Sequence, residues 1–260
     1  MLTQINKPIA TRVTLLLLLL MMGGDAWSVE QLGIEIVKQH PHPGRPFTQG
    51  FLFDKGLVES SGGYGKSYIQ RYQPGAFAAK QRVAVNADYF AEGMAKHGAS
   101  YYLLTWKSRV MLQLDPESME ETGRTLYSGE GWGLASDGRQ LLMSNGSSRI
   151  RFFDPFGVVP ERSINVSQDG KPVNRLNELE WIEDKIFANI WLTDRAVIID
   201  PQSGEVTATI DLSLLRKDLH KPDKVDVING FAWDAESKRL FVTGKNWPLV
   251  FEIRLTQSPD

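Results

Sequence analysis

Apolar positions in this chain come in short bursts rather than at helical spacing, and the bursts recur in a fixed order. Each unit opens on a short apolar segment. The five openings are Gln49-Gly50-Phe51-Leu52-Phe53, Glu92-Gly93-Met94-Ala95, Trp132-Gly133-Leu134-Ala135, Glu178-Leu179-Glu180-Trp181 and Asn229-Gly230-Phe231-Ala232-Trp233. Four of the five carry Gly at the second position. Polar turns such as Asp54-Lys55-Gly56 and Ser136-Asp137-Gly138 follow, and these are hairpin signals. Second strands are predicted at 57–60, 101–105, 140–144, 186–190 and 239–243, and third strands at 68–72, 110–114, 150–153, 197–199 and 249–253. Three of the third strands run into Asp-Pro, where the proline ends the ladder. Only 212–219 has a helical pattern.

The second positions of the openings are 43, 40, 46 and 51 residues apart. Propeller blades of four strands repeat every ~40–45 residues. The pattern therefore predicts an all-β chain folded as a five-bladed β-propeller, with the longer intervals taken up by loops at 162–175 and 214–227. A strand at 34–38 is expected to share a blade with the last strand, which closes the ring and removes a free sheet edge. A β-sandwich has similar strand spacing, but the fixed register of the repeat favours the propeller.

The first residues follow another rule. Lys7 and Arg12 precede an uncharged apolar run at 13–22, and Gly23, Gly24 and Ala26 come after it. The run is too short for a membrane span, which takes ~20 residues, and fits the core of a secretory signal peptide. A signal peptide over 1–26 and a single propeller domain over 27–260 are expected, with an uncleaved membrane anchor as the alternative. The chain is then exported, periplasmic or secreted, with no membrane attachment after cleavage. Cysteine is absent, which excludes disulfides, thiol catalysis and cysteine-ligated zinc. With 29 basic and 31 acidic residues and no basic cluster, nucleic acid is not an expected partner.

Equivalent positions of a repeat converge. The first residue of each opening (Gln49, Glu92, Trp132, Glu178, Asn229) is placed near the channel axis. Loops after the second strands carry Trp106-Lys107, Asn145-Gly146, Trp191 and Lys245-Asn246-Trp247 to the same mouth. Three tryptophans and a lysine there make an aromatic pocket with a charged wall. Plainer readings stand beside this one. Trp181 and Trp233 read as core, and Trp106, Trp132 and Trp191 serve equally as packing between blades. Lys245 reads as a solvated turn residue. His40-Pro41-His42 has no third ligand nearby in the sequence.

Phe47-Thr48-Gln49-Gly50, Phe90-Ala91-Glu92-Gly93 and Gly129-Glu130-Gly131-Trp132-Gly133-Leu134 resemble the plant and bacterial glutaminyl cyclases, the glutamine cyclotransferases. So do Asn177-Glu178-Leu179-Glu180-Trp181 with Asn189-Ile190-Trp191, and Ile228-Asn229-Gly230-Phe231-Ala232 with Gly244-Lys245 and Trp247-Pro248. That family is a five-bladed propeller. The resemblance implies that Glu92 is the catalytic acid/base, that Gln49, Asn177 and Lys245 bind and polarise the substrate, and that Trp106, Trp132, Trp191 and Phe90 wall the pocket. Asn177 then replaces Glu178 as the ligand of its unit, one residue off the repeat register. The implied reaction converts an N-terminal glutamine of a peptide or protein to pyroglutamate with release of ammonia. The enzyme is expected to be a monomer that uses no cofactor and no metal; the calcium of plant members has no recognisable loop here. A non-catalytic peptide-binding propeller and a metal-dependent lactonase-like hydrolase are the alternatives.

Overall fold

The structure is a computed structural model that describes residues 29–73, 77–155, 157, 159–219 and 225–257. The expected signal peptide lies outside the described residues. The chain is all-β. Strand β1 (Glu30–Pro41) is followed by β2 (Thr48–Phe53), β3 (Leu57–Ser61), β4 (Tyr68–Tyr72) and β5 (Ala79–Ala84). Next come β6 (Ala91–His97), β7 (Ser100–Thr105), β8 (Val110–Leu114) and β9 (Glu121–Leu126), then β10 (Leu134–Ser136), β11 (Leu141–Met143), β12 (Arg149–Phe153) and β13 (Arg162–Asn165). A small hairpin, β14 (Ser167–Gln168) and β15 (Lys171–Pro172), leads to β16 (Leu176–Ile182), β17 (Lys185–Ile190), β18 (Arg195–Ile199) and β19 (Val206–Asp211). After the short helix α1 (Ser213–Lys217), the chain ends on β20 (Ile228–Asp234), β21 (Arg239–Gly244) and β22 (Leu249–Gln257).

Strands β2–β5, β6–β9 and β10–β13 form three four-stranded meanders in sequence order. The remaining eight form one sheet in the order β16-β17-β18-β19-β1-β22-β21-β20. Its two halves meet at β1. This strand runs antiparallel to β22 from Leu32↔Gln257 to Pro41↔Leu249, and parallel to β19 only over Glu30–Leu32. The first and last strands of the fold thus pair, as the edge argument required.

The leading strands stand in a closed circle: β2 packs on β6, β6 on β10, β10 on β16, β16 on β20, and β20 back on β2. An apolar cluster fills each space between neighbouring strand groups. Tyr101 and Leu103 face Leu52, Val58 and Ile69, whereas Tyr102 and Leu104 face Leu134, Leu141 and Phe153. Successive residues of one strand thus serve two cores, because side chains alternate faces. A strand buried on both faces reads as a continuous apolar run, which is why the second and third strands are visible in sequence. The outermost strands β5, β9 and β13 leave little trace in the sequence, since much of their surface is exposed and their residues are largely polar, whereas β19 is mostly buried and alternates Val206, Ala208 and Ile210 with polar residues, a strand pattern that the three-strand reading of the repeat passes over.

Glycine at the second position of the openings sits where leading strands nearly touch. A Cβ on Gly50 would collide with backbone of Gly93 and Met94, one on Gly93 with Trp132 and Leu134, and one on Gly133 with Asn177 and Glu178. Two serines stitch the same contacts. The Gly50 N–H donates to Ser60 Oγ (2.9 Å), which donates to the Glu92 carbonyl (2.5 Å). The Gly133 N–H donates to Ser144 Oγ (2.8 Å), which donates to the Asn177 carbonyl (2.6 Å).

Between β16 and β20, carboxylates take over. Glu178 Oε2 accepts the Phe231 N–H at 3.0 Å, and Glu180 Oε1 accepts the Trp233 N–H at 3.0 Å. Burial pushes both carboxyls up, Glu180 to about 8. An unfolded glutamate ionises near ~4.3, so as pH rises the unfolded chain loses this proton first. Stability contributed by the protonated carboxyl is complete below that value and is lost as pH climbs to about 8. Raising pH from 6 to 9 is therefore expected to lower the unfolding free energy by roughly 1–3 kcal/mol through Glu180, reduced from the full linkage value by its partial exposure. Denaturant melts of Glu180→Gln should be flatter over this range than those of the wild type. An identical slope in the two proteins would contradict the assignment.

Candidate active site

The leading strands lose their ladder register close to their first residues, where β2, β6 and β16 meet one cavity. Register shifts fall between Thr48 and Gly50, Ala91 and Met94, Leu176 and Leu179, and Ile228 and Phe231. A bulge re-aims the side chains it contains. Those residues include Gln49, Glu92, Asn177 and Asn229.

Gln49, Phe90, Glu92, Trp106, Trp132, Asn177, Trp191 and Lys245 line one cavity of about 350 Å³. Phe47, Leu192 and Asp226 complete its wall. The aromatic part is cross-braced. Phe90 meets Trp106 edge-on with ring centroids 5.6 Å apart, and Trp132 meets Trp191 at 5.4 Å. Glu130 Oε2 accepts both the Trp106 indole N–H (2.8 Å) and the Trp132 indole N–H (3.0 Å), tying the two walls together.

Four polar side chains enter this apolar box, and all are buried: Gln49, Glu92, Asn177 and Lys245. Gln49 Oε1 has no hydrogen-bond partner among the described residues, so it is an acceptor or polarising dipole held ready for a ligand. The Lys245 ammonium lies 5.0 Å from the centre of the Phe47 ring. Its backbone is held by pairing with Asp226 and Val227 (3.0 and 2.9 Å). Behind Gln49 and Lys245, the buried Glu59 accepts the Thr48 hydroxyl at 2.6 Å and pairs with His42 Nε2 at 2.9 Å. His42 Nδ1 lies 3.1 Å from the Trp247 carbonyl, which links the two loops.

Desolvation by the walls holds the Glu92 carboxyl well above the usual carboxylate range. Lys245 opposes that rise and Glu130 adds to it. Burial likewise pulls Lys245 below the usual lysine range, against the attraction of Glu92 and Asp226. Glu130 itself is kept acidic, chiefly by the Trp132 indole N–H and then by that of Trp106. A proton acceptor of raised basicity thus stands in an aromatic-walled box with a cation and two carboxamides, a set suited to proton transfer at an amide.

Three placements differ from the simple repeat register. Glu178 is buried against β20 rather than in the cavity, because the bulge at 177–178 gives the mouth position to Asn177. Asn229 donates to the carbonyls of Thr48 and Gln49 (3.0 and 3.2 Å) and acts as a brace between β20 and β2. Trp247 is fully buried in the core, its indole N–H on the Asp226 carbonyl, so the third pocket tryptophan is Trp132. His40 and His42 do not act together: His40 stacks on Phe77 (3.8 Å) and faces Glu252, while His42 serves Glu59. Sequence reasoning gave no role to Glu130, Asp226, Phe47 or Leu192. For Glu130 a signal existed, a carboxylate between two glycines directly before Trp132.

The sequence model of the glutamine cyclotransferase family matches residues 12–255. The glutaminyl-peptide cyclotransferase of Arabidopsis thaliana is 34% identical over 230 residues, covering 86% of this chain and 72% of the relative. The crystal structure of Myxococcus xanthus glutaminyl cyclase superposes with a TM-score of 0.82 at 31% identity, covering 88% of this chain and 99% of that one. With nearly its whole described length matched in both sequence and fold, the chain belongs to the glutamine cyclotransferase family.

Proposed function

We propose that this chain cyclises the N-terminal glutamine of peptides and proteins by metal-independent general acid/base catalysis, with Glu92 as the proton carrier. The observation that carries the reading is a buried carboxyl of raised basicity facing into an aromatic box with Gln49, Asn177 and Lys245. The reaction is intramolecular, so the enzyme's first task is to hold the glutamine folded with its amine against its own side-chain carboxamide. Trp106, Trp132, Trp191 and Phe90 supply the walls that do so. Glu92 takes a proton from the α-amine as the nitrogen attacks the carboxamide carbon. Lys245 and the N–H group of the Gln49 carboxamide stabilise the oxygen as it gains charge. Glu92 then returns the proton to the departing nitrogen, the C–N bond of the amide breaks, and ammonia leaves.

The finer architecture inferred with this function is a five-bladed β-propeller over 27–260. The circle of leading strands and the single point at which the eight-stranded sheet's halves join support it. The apolar run at 13–22 supports export, to the periplasm or beyond, after cleavage near Ala26. The same reading takes the enzyme as a monomer.

Incubation with a Gln-initiated peptide should release ammonia in step with pyroglutamate, with and without a chelator. The N-acetylated peptide should release none, because its amine is blocked. Binding of the Gln-initiated peptide without ammonia would replace the enzyme with a peptide-binding module.

A further inference from the structure

Leu192 breaks a local rule at the cavity mouth. It is the third residue of the turn Ile190–Thr193, closed by the Thr193 N–H on the Ile190 carbonyl at 3.2 Å, and its φ is +65°. That conformation costs an L-residue about 1–2 kcal/mol and is ordinarily given to Gly or Asn. Two other strand groups follow the rule: the same loop position is Gly146 (φ +79°) between β11 and β12, and Asn246 (φ +61°) between β21 and β22, whereas the loop between β7 and β8 has its positive φ at the polar Arg109 (+60°). Two further apolar residues have positive φ among those described, Phe77 and Met119, and their burial (9% and 1% exposed) offsets the strain. Leu192 is 54% exposed, so burial within the protein does not explain it. An exposed leucine alone means little, but an exposed leucine held in a strained turn on a cavity wall points to a ligand.

Tyr64 is a second large exposed side chain beside the cavity, with no positive φ of its own. It is 51% exposed on a loop with Gly63 and Gly65 at positive φ, and its ring meets the cavity residue Phe90 edge-on at 5.5 Å. When an N-terminal glutamine lies in the box, the peptide leaves through the mouth from its carbonyl, and the next side chain is the first to meet this rim. We infer that Leu192 and Tyr64 form an apolar subsite for the second residue of the substrate, which makes peptides with a large apolar residue after glutamine the preferred class. This rests on the cyclotransferase reading of the cavity.

The test compares kcat/KM for three peptides, Gln-Phe-Ala, Gln-Gly-Ala and Gln-Glu-Ala amides, by ammonia release from the full chain. The wild type should prefer the Phe peptide to the Gly peptide by ~10-fold, the scale of a partly enclosed apolar contact, and the preference should lie mainly in KM. Leu192→Gly and Leu192→Asn both suit a positive φ, so thermal melts should be no lower than wild type. In both variants the Phe/Gly ratio should fall towards 1, and Tyr64→Ala should lower it in part. Equal kcat/KM for the three peptides in the wild type, or a ratio unchanged in both Leu192 variants, overturns the subsite while leaving the enzyme intact. No ammonia from any of the peptides overturns the cyclotransferase reading, and the subsite falls with it.

Discussion

Glu92→Gln is expected to lower kcat by ~10²–10⁴ and to leave the melting temperature at or above that of the wild type. The two halves of this expectation have one cause. Burial holds the Glu92 carboxyl above the ordinary carboxylate range. The folded protein therefore favours the neutral form, and its stability falls as rising pH ionises the group, a loss that glutamine cannot suffer. Glutamine also fills the same space, so the box keeps its shape while losing the buried proton acceptor that faces into it. The pH profile separates the roles further. In the wild type kcat/KM should rise through the Glu92 ionisation and again near ~7.7–8.0, where the substrate amine loses its proton. It should fall at alkaline pH as Lys245, pulled below the lysine range by burial, becomes neutral. The Glu92→Gln profile should keep the amine step and lose the first. Wild-type turnover in a folded Glu92→Gln protein would remove Glu92 from the mechanism.

Much of the fold could be read in advance because the strands are buried on two sides. The run Tyr101–Thr105 is wholly apolar up to its threonine because Tyr101 and Leu103 serve one core and Tyr102 and Leu104 the next. The outermost strand Glu121–Leu126 has no such duty and carries the polar residues that any exposed loop would. Its pairing with β8 is a backbone property with little trace in side-chain pattern. At the site, glycine in a strand was a legible sign, and the bulges stand at Gly50, Gly93 and Gly230. Where β16 carries Glu178 in place of glycine the sign was missing, and the repeat register slipped by one residue until the family resemblance placed Asn177. Glu130 escaped because its contribution is a pair of hydrogen bonds to indoles from different loops, a three-dimensional fact. Trp247 misled for the converse reason. It shares a loop with Lys245, but the turn closed by its N–H on the Gly244 carbonyl (3.1 Å) accompanies a ring buried in the core rather than exposed at the mouth.

Gly133→Ala should be among the most damaging single changes in the protein, although it adds one methyl group. The φ of Gly133 is not in the left-handed region, so alanine's backbone preference is not the obstacle. The obstacle is contact. A Cβ at this position would lie well inside the radius of the Asn177 carbonyl oxygen and within 2.8 Å of the Glu178 Cα. Both are backbone atoms of the neighbouring leading strand, so no rotamer change relieves the clash, and β16 must move. Movement also breaks the relay in which the Gly133 N–H meets Ser144 Oγ and that hydroxyl holds the Asn177 carbonyl. Overpacking of this kind ordinarily costs ~1–3 kcal/mol, and a rigid backbone partner places Gly133→Ala at or beyond the upper end. Whatever fraction folds should also be slow, because Asn177 lines the cavity and a shift of ~1 Å in a positioning group costs on the order of 10²-fold. Gly123→Ala on β9 is the control: its Cβ would meet only the Gln113 side chain, at 3.2 Å, and that side chain can turn aside. Melts of the two variants should differ by several kcal/mol. A Gly133→Ala protein as stable and active as Gly123→Ala would mean that the leading strands have slack between them, and that the glycines of the repeat are there for some reason other than close approach.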